Sequence, residues 1–345
     1  MSNVLKINNQ KKSISILDIN SPECCIFKYN KETTIKCAEG DIIPSCINCT
    51  NPKCQYLSKE NIFCPSFKNI SQDINLNVCP VNAIKAGNES IEIDENICIG
   101  CGICAARCPI GAIHIKDGKA KLNTGNKSVI KKMTVNNDNI NIQNEFIDKM
   151  SLIDKNGCIR EVNELELSNM YNDIVNLDAA KQNKLARNLL IMTLGKSNLS
   201  RQGDVYARMD GFYETGSKCG VIEVETGMEM LDVSRALLDD IAVLHSRHGV
   251  SKEINHPLAI CLNLPNRRVD FWQVIKDIAK ITNVRINTIT YGILFIFLWN
   301  LKKIKDIDLF YVDIDNSSLR KQVEAYFEKK IDISQGYLGI LENSK

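Results

Sequence analysis

Apolar residues recur every three or four positions in several segments of the C-terminal half of the chain. Residues 178–195 show this spacing, which places the apolar side chains on one face of a helix. The segment begins with Asp178, a residue type favoured at helix N-caps. The same spacing predicts amphipathic helices over residues 230–249 and from Asp270 onward.

Segments between these helices carry the patterns of strands. Val205–Met209 alternates between apolar and polar residues, whereas Cys219–Val224 and Pro257–Leu264 are mostly apolar and predict more deeply buried strands. The apolar run at residues 289–299 is consistent with either a strand or a buried helix. The order of helix, hairpin, helix and strand predicts a domain built on a mixed sheet.

The two remaining regions are less sharply patterned. Beyond residue 300 the sequence predicts a strand at Leu309–Ile314, a helix at Leu319–Lys329 and a strand at Tyr337–Leu341. Residues 119–177 are polar and rich in asparagine, and they predict a linker or small adaptor that ends in a helix over Glu164–Leu177.

Cysteine usage changes the picture for the N-terminal third. Twelve of the fifteen cysteines lie between Cys24 and Cys108. The first residues lack the apolar core of a signal peptide, so we expect a cytoplasmic protein, in which dense cysteine favours metal or cluster binding over disulfides. The longest apolar run is too short to cross a bilayer, and no membrane partner is expected. The net charge is +2 and the basic residues are dispersed, so the chain as a whole lacks the basic clusters typical of polyanion-binding proteins.

The segment CIGCGICAARCP, from Cys98 to Pro109, has the cysteine spacing of an iron–sulfur site. Thiolates are soft anionic donors, and a cubane [4Fe–4S] cluster needs four of them. Cys98, Cys101 and Cys104 wrap one cube, and Cys108, the fourth cysteine of such a run, serves a neighbouring cluster. Zinc sites usually pair two short knuckles instead, which this spacing does not show.

A second, similar half is therefore expected upstream, and CPVNAI at residues 79–84 matches CPIGAI at residues 108–113. Before it lies SCINCTNPKC, which contains three further cysteines. Here the chain resembles the bacterial two-cluster ferredoxins. That resemblance implies two [4Fe–4S] clusters. One would be bound by Cys79, Cys98, Cys101 and Cys104, and the other by Cys46, Cys49, Cys54 and Cys108. The first half is stretched relative to the family, and Cys64 is an alternative to Cys54.

Carboxylates stand out in the predicted C-terminal domain. Asp210 follows a predicted strand, and Glu223 and Glu225 lie two residues apart on the next strand, which places both on one face. Carboxylates on an otherwise apolar face are costly unless a cation or a basic group neutralises them. The three side chains could form an oxygen-rich pocket suited to Mg²⁺ or Mn²⁺. Surface carboxylates on an edge strand are the simpler alternative.

With these residues the chain resembles the PD-(D/E)xK nucleases, a fold shared by restriction enzymes and many repair and defence nucleases. The family has an acid on one strand and a (D/E)-x-K pair on the next, between two helices. The resemblance implies that Asp210 and Glu223 hold the metal and that Asp210, Glu223 and Glu225 form the catalytic set. Glu225 replaces the family lysine, and Lys218 or Arg235 could supply the missing positive charge.

These patterns predict an α+β chain with an N-terminal two-cluster ferredoxin-like domain and a C-terminal α/β mixed-sheet, restriction-endonuclease-like domain. The expected divisions are an N-terminal segment at 1–36, the cluster domain at 37–118, the linker at 119–177 and the nuclease-like domain at 178–345. The expected partners are DNA, or a protein of a redox or defence complex. One hypothesis is a Mg²⁺-dependent deoxyribonuclease with structural, redox-sensing or partner-docking clusters. The other is a ferredoxin-type electron-transfer protein with a non-catalytic docking or sensor domain.

Overall fold

The structure is a computed structural model that contains both α-helices and β-strands. It describes residues 4–6, 28–30, 33–34, 63–73, 78–86, 91–107, 113–122, 164–204, 207–227, 229–300, 302–313, 315, 318–332 and 338–343. The strands are β1 (Val4–Lys6), β2 (Lys28–Asn30), β3 (Thr33–Thr34), β4 (Ile84–Ala86), β5 (Ile91–Ile93), β6 (Ile113–Lys116), β7 (Lys119–Leu122), β8 (Lys196–Leu199), β9 (Gly211–Thr215), β10 (Lys218–Glu225), β11 (Leu258–Cys261), β12 (Asn287–Thr290) and β13 (Lys330–Asp332). The α-helices are α1 (Ile103–Arg107), α2 (Glu164–Val175), α3 (Ala179–Thr193), α4 (Met230–His248), α5 (Asp270–Thr282), α6 (Tyr291–Trp299), α7 (Leu319–Phe327) and α8 (Leu338–Leu341).

A five-stranded mixed sheet forms the C-terminal part, with the strand order β12-β11-β10-β9-β8. Strands β8, β9 and β10 make an antiparallel meander, and β10, β11 and β12 are parallel. The parallel connections pass through α4 and α5, as parallel strands require a crossover. The expected mixed sheet is therefore present; β8, β9 and β10 lie between α3 and α4 in the chain, and β11 and β12 follow α4 and α5.

Helix boundaries follow local capping chemistry. The Asp178 side chain accepts a hydrogen bond from the backbone N–H of Lys181 at 2.9 Å, as its expected N-cap role requires. Helix α4 ends at Gly249, which has a φ of 68°. The Thr290 hydroxyl accepts from the N–H of Ile293 at 3.2 Å, which lets β12 turn directly into α6. The run at residues 289–299, which the pattern left undecided, thus ends a strand and forms a fully buried helix.

Several sequence predictions of local structure are wrong. The predicted strand at Val205–Met209 is absent over residues 207–209, and the strand pairing with β10 is β9, which starts at Gly211. Strand β8, directly after α3, was not predicted. The predicted strand at Leu309–Ile314 overlaps the end of a 3₁₀-helix, Ile307–Phe310, and residues 338–341 are helical. These segments are short and apolar, so periodicity could not distinguish strand from helix.

The described part of the cluster region contains two small antiparallel hairpins, β4–β5 and β6–β7, with α1 between them. Strand β4 begins at Ile84 and strand β6 at Ile113, the last residues of the two matching CP-x-x-A-I motifs. The internal repeat in the sequence therefore corresponds to a repeat in the structure. Strand β1 pairs in parallel with β13, so a segment near the start of the chain meets one near its end.

The cluster region packs directly on the C-terminal sheet and its helices. The side-chain amide of Asn188 on α3 donates to the carbonyl of Val78 at 2.7 Å, and the Phe67 and Phe212 rings stack with centroids 4.7 Å apart. Buried residues of both regions belong to one continuous hydrophobic core. In the part of the chain that the structure describes, no helix is long and apolar enough to span a bilayer.

Candidate functional site

Four of the predicted cluster ligands surround one cavity. Cys79, Cys98, Cys101 and Cys104 all line one cavity, with apolar side chains such as Ile84 forming the wall between them. Cys79, Cys98 and Cys101 are buried, whereas Cys104 is partly exposed. The structure therefore brings together the four cysteines that the sequence assigned to one cluster.

The loop around this cavity is shaped to present its sulfurs to backbone N–H groups. The N–H of Ala83 points to the Cys79 Sγ at 3.2 Å, and those of Gly100 and Ala120 point to the Cys98 Sγ at 3.4 Å each. Hydrogen bonds to sulfur are among the features that tune the potential of an iron–sulfur cluster. Gly100 has a φ of +66°, and a Cβ there would lie 2.0 Å from the carbonyl oxygen of Gly118. Only glycine fits at this position.

Burial raises the pKa of the Cys79 and Cys101 thiols, and the neighbouring cysteine sulfurs add to the effect. Thiolates in such an apolar cavity are stable only when a cation compensates their charge. The donor set, the cavity and the N–H groups thus fit an iron–sulfur cluster. When bound, such a cluster supplies one-electron redox chemistry.

The other predicted cluster ligands are placed differently. Cys46, Cys49, Cys54 and Cys108 lie outside the described residues. Cys64 is fully buried and does not line the cavity; its Sγ accepts from the Asn198 amide at 3.2 Å. Burial raises the pKa of the Cys64 thiol to about 12.

The predicted carboxylate site lies where the β9–β10 register brings two strand ends together. Gly211 pairs with Ile222, so Asp210 and Glu223, the next residues in opposite directions, are neighbours. Strand β10 is buried from Cys219 to Ile222 and becomes partly exposed from Glu223 onward. The site is therefore at the carboxyl end of a strand that is parallel to β11, the position where open α/β sheets commonly bind ligands.

Asp210 is held firmly by its neighbours. Its Oδ1 accepts from the Asn183 amide on α3 at 2.5 Å, and its Oδ2 accepts from the N–H of Val224 at 2.9 Å. Burial nevertheless raises the pKa of Asp210, which these hydrogen bonds only partly counteract. The carboxylate is thus oriented towards the β10 strand end before any ligand binds.

Glu223 faces a third carboxyl group that the sequence analysis did not select. Its carboxyl group lies close enough to that of Asp240 on α4 for each group to affect the pKa of the other. Burial raises the pKa of both groups, and the negative charge of Asp210 raises them further. Asp210, Glu223 and Asp240 therefore form a cluster of carboxyl groups in which charge is disfavoured.

Glu225 and the expected basic groups take other positions. The Glu225 Oε1 accepts from the N–H of Gly227 at 2.5 Å, while its charge still acts on Asp210. Lys218 forms ion pairs with Asp306 and Asp308, at 2.6 and 2.8 Å, so its ammonium group is already occupied by other acids. Arg235 pairs with Asp232 on the exposed side of α4. Both basic groups are therefore paired with acids other than Asp210 and Glu223.

Over the described residues, no three Asp, Glu, His or Cys side chains form a group that could hold a single metal ion. This does not weigh against the cysteine site, because each thiolate of a cubane cluster binds a different iron atom around the cavity. At the carboxylate site, Asp210 and Glu223 remain as the predicted pair, with the Asp210 oxygens engaged by protein donors. Mg²⁺ is commonly held by only one or two carboxylates with waters and substrate phosphates.

Of the two site residues that the sequence did not predict, Asp240 carried a signal in the sequence and Asn183 did not. Asp240 lies at helical spacing within the apolar stripe of α4, three residues after Leu237 and four before Leu244. A charged residue on such a stripe is placed in the core by its helix, and burial of a charge usually has a functional or pairing reason. Asn183 carried no comparable signal, since asparagine is common on exposed helix faces.

Comparison with known proteins identifies the first site. Residues 72–119 match the LdpA Fe-S cluster-binding domain. The chain is 55% identical over 38 residues to the hydrogenase-4 component A of Escherichia coli, a match that covers 11% of this chain and 18% of that protein. It is 50% identical over 40 residues to an uncharacterized ferredoxin of Methanocaldococcus jannaschii, covering 12% and 24%. The 7Fe ferredoxin of Hydrogenibacillus schlegelii is 48% identical over 40 residues, covering 12% and 51%.

These matches concern a small part of the chain. It spans between 18% and 51% of the length of these curated relatives, and no solved structure matches it. Residues 72–119 contain the four cysteines of the cavity together with Cys108. The protein therefore carries a ferredoxin-like iron–sulfur-binding domain joined to a mixed α/β sheet.

Proposed function

We propose that this protein is a two-cluster iron–sulfur protein whose C-terminal domain is a divalent-cation-dependent deoxyribonuclease of the PD-(D/E)xK type. The observation that carries the proposal is the meeting of Asp210 and Glu223 at the carboxyl end of β10. The element order α3, β8, β9, β10, α4, β11 also agrees with the helix–strand–helix–strand order expected for that family. A role in DNA defence or repair, in the cytoplasm, belongs to this proposal.

The proposed roles follow from the chemistry of the side chains. Asp210 and Glu223 would hold Mg²⁺ or Mn²⁺, hard cations that prefer oxygen ligands. A cation bound there activates water and stabilises charge on a phosphodiester. Asp210 is oriented for this by Asn183 and Val224. Glu225, in the position of the family lysine, would accept a proton from water near Asp210.

In this proposal both clusters are [4Fe–4S] and have a structural role. Cys79, Cys98, Cys101 and Cys104 would bind the first cluster. Cys46, Cys49, Cys108 and either Cys54 or Cys64 would bind the second. A structural role is supported by the direct packing of the first cluster loop on the C-terminal domain, where a Cβ at Gly102 would lie 2.8 Å from the Trp299 Nε1 on α6.

A cleavage assay tests the proposal. Protein purified without oxygen, with about eight irons per chain for two cubanes, is incubated with supercoiled, linear and single-stranded DNA in Mg²⁺ or Mn²⁺. We expect cutting that EDTA and Glu223→Gln abolish. Asp232→Asn, an exposed acid on α4 paired with Arg235, is the matched control and should cut like the wild type. Absence of cutting on every substrate with either cation would contradict the proposal.

Electron transfer by the whole protein is the second candidate. It is favoured by the partial exposure of Cys104, which brings one edge of the cluster cavity close to solvent. Two relatives, a hydrogenase-4 component and formate hydrogenlyase subunit 2, support a redox protein partner. Here the C-terminal domain would dock the partner. Reversible reduction by dithionite, followed by electron paramagnetic resonance, together with no DNA cleavage, would favour this function.

A further inference from the structure

Lys119 is a lysine that is held against the backbone of a predicted cluster ligand. Its ammonium group donates a hydrogen bond to the carbonyl oxygen of Cys98, and the contact is partly buried. A lysine side chain normally keeps its ammonium group in water, where the charge is strongly hydrated. Lys119 instead places its positive charge beside a residue that lines the cluster cavity.

The β6–β7 turn fixes the position of this ammonium group. Its two central residues, Asp117 and Gly118, have φ values of 52° and 71°, the left-handed conformations that a type I′ hairpin turn requires. Lys119 follows the turn directly. The N–H of the next residue, Ala120, donates to the Cys98 Sγ at 3.4 Å. The backbone of the hairpin and the ammonium group of Lys119 therefore approach the same ligand.

Two other lysines on the hairpins of the cluster region pair with carboxylates. Lys121, two residues farther along β7, forms an ion pair with Glu95. Lys85 on β4 lies 4.0 Å from a carboxylate oxygen of Asp94. The charges of these two lysines are thus directed at acids, whereas the ammonium group of Lys119 meets the backbone of a cluster ligand.

A positive charge at this position acts on the reduction of a bound cluster. Reduction adds one electron, and therefore one negative charge, to a group that its thiolate ligands already make electron-rich. The ammonium charge stabilises the reduced form more than the oxidised form, so it raises the reduction potential. A unit charge a few ångströms from the cluster, partly screened by solvent, changes the reduction equilibrium by about tenfold.

We propose that the ammonium charge of Lys119 raises the reduction potential of the cluster bound by Cys79, Cys98, Cys101 and Cys104. The inference rests on the first cluster of the proposed function and is independent of the carboxylate site. It adds a redox role for this cluster, because a higher potential allows weaker electron donors to reduce it. A residue that only fixed the loop would not change the potential of a cluster that stays bound.

A redox titration of the full chain tests the proposal. Protein purified without oxygen is titrated with dithionite as the electron donor and with redox mediators, and the reduced cluster is followed by electron paramagnetic resonance. Lys119→Met removes the charge and the hydrogen bond, Lys119→Gln keeps an amide donor without the charge, and Lys119→Arg keeps both. Lys121→Met, which removes the neighbouring lysine on the same strand, is the matched control.

We expect Lys119→Met and Lys119→Gln each to lower the potential of at least one component of the titration. The expected shift is about tenfold in the reduction equilibrium, which is about 59 mV for a one-electron couple. Lys119→Arg should stay within about twofold of the wild type because it keeps the charge. Lys121→Met should also stay within about twofold, since its charge is paired with Glu95. The iron content of every sample is measured alongside.

Two results would overturn the proposal and leave the proposed function intact. A wild-type potential in Lys119→Gln would show that the charge does not act on the cluster. Loss of iron from both Lys119→Met and Lys119→Gln would give Lys119 a structural role only; if Lys119→Met alone loses iron, Lys119→Gln decides. Absence of iron and of a reducible signal in the anaerobic wild type would overturn both this proposal and the cluster assignment of the proposed function.

Discussion

The tightest contact at the cluster loop gives a sharp prediction for Gly100→Ala. Gly100 has a φ of +66°, and its added Cβ would lie 2.0 Å from the Gly118 carbonyl oxygen and 2.8 Å from its carbon. Real Cβ contacts essentially never fall below 3.0 Å, so the loop and the β6–β7 turn must separate by 1.0 Å or more. That movement would break the hydrogen bond from the Ala120 N–H to the Cys98 Sγ.

Gly249→Ala separates the steric cost from the backbone cost. Gly249 has nearly the same φ, +68°, but a Cβ there has nothing within 4 Å. The left-handed conformation costs alanine about 1–2 kcal/mol, partly offset by about 0.4–1 kcal/mol from the more restricted unfolded chain. Gly249→Ala should therefore lose about 1 kcal/mol. Gly100→Ala carries a further overpacking cost of about 1–3 kcal/mol.

The assay compares iron content, visible absorption and denaturant unfolding of both variants under anaerobic conditions. We expect Gly100→Ala to lose iron from the cluster of Cys98, Cys101 and Cys104, because the loop that carries these ligands is displaced. Gly249→Ala should retain wild-type iron content. Full iron content in Gly100→Ala, with a free energy of unfolding equal to that of Gly249→Ala, would refute the argument from the Gly118 contact.

Three further predictions concern other contacts. Asn188→Ala leaves the buried Val78 carbonyl without its donor and should cost about 1–3 kcal/mol in unfolding free energy; an unchanged denaturant midpoint would contradict this. Burial raises the folded-state pKa of Glu223, so the stability that this group provides is complete below about pH 4 and is lost as pH rises towards its folded pKa. Cation-free wild type should therefore lose stability with rising pH relative to Glu223→Gln, and parallel pH profiles would contradict the raised pKa. Lys218→Met breaks only partly exposed ion pairs and should cost less than about 1 kcal/mol. Its Mn²⁺ affinity should equal the wild-type value, and a tenfold weaker affinity would show that Lys218 serves the carboxylate site.

The local chemistry of the cluster site was predictable from the sequence. Thiolate spacing is constrained by the size of the cluster and by the reach of a short loop. The spacing of Cys98, Cys101 and Cys104 therefore indicates an iron–sulfur cluster. The matching CP-x-x-A-I motifs also located the start of β4 and β6. The capping of α3 by Asp178 depended only on residues three positions apart.

Tertiary structure decided which distant groups meet. The β9–β10 register places Asp210 beside Glu223, and this register depends on packing over the whole sheet. Asp240 lies near them only because α4 packs against β10. The Lys218 ammonium group pairs with Asp306 and Asp308, which lie 88 and 90 residues later in the chain. The sequence by itself determined the cysteine motifs that line the cavity and the capping of individual helices, because these depend mainly on neighbours along the chain. Only the tertiary structure decided the composition of the carboxylate site, because burial and charge there are set by segments that are far apart in the sequence.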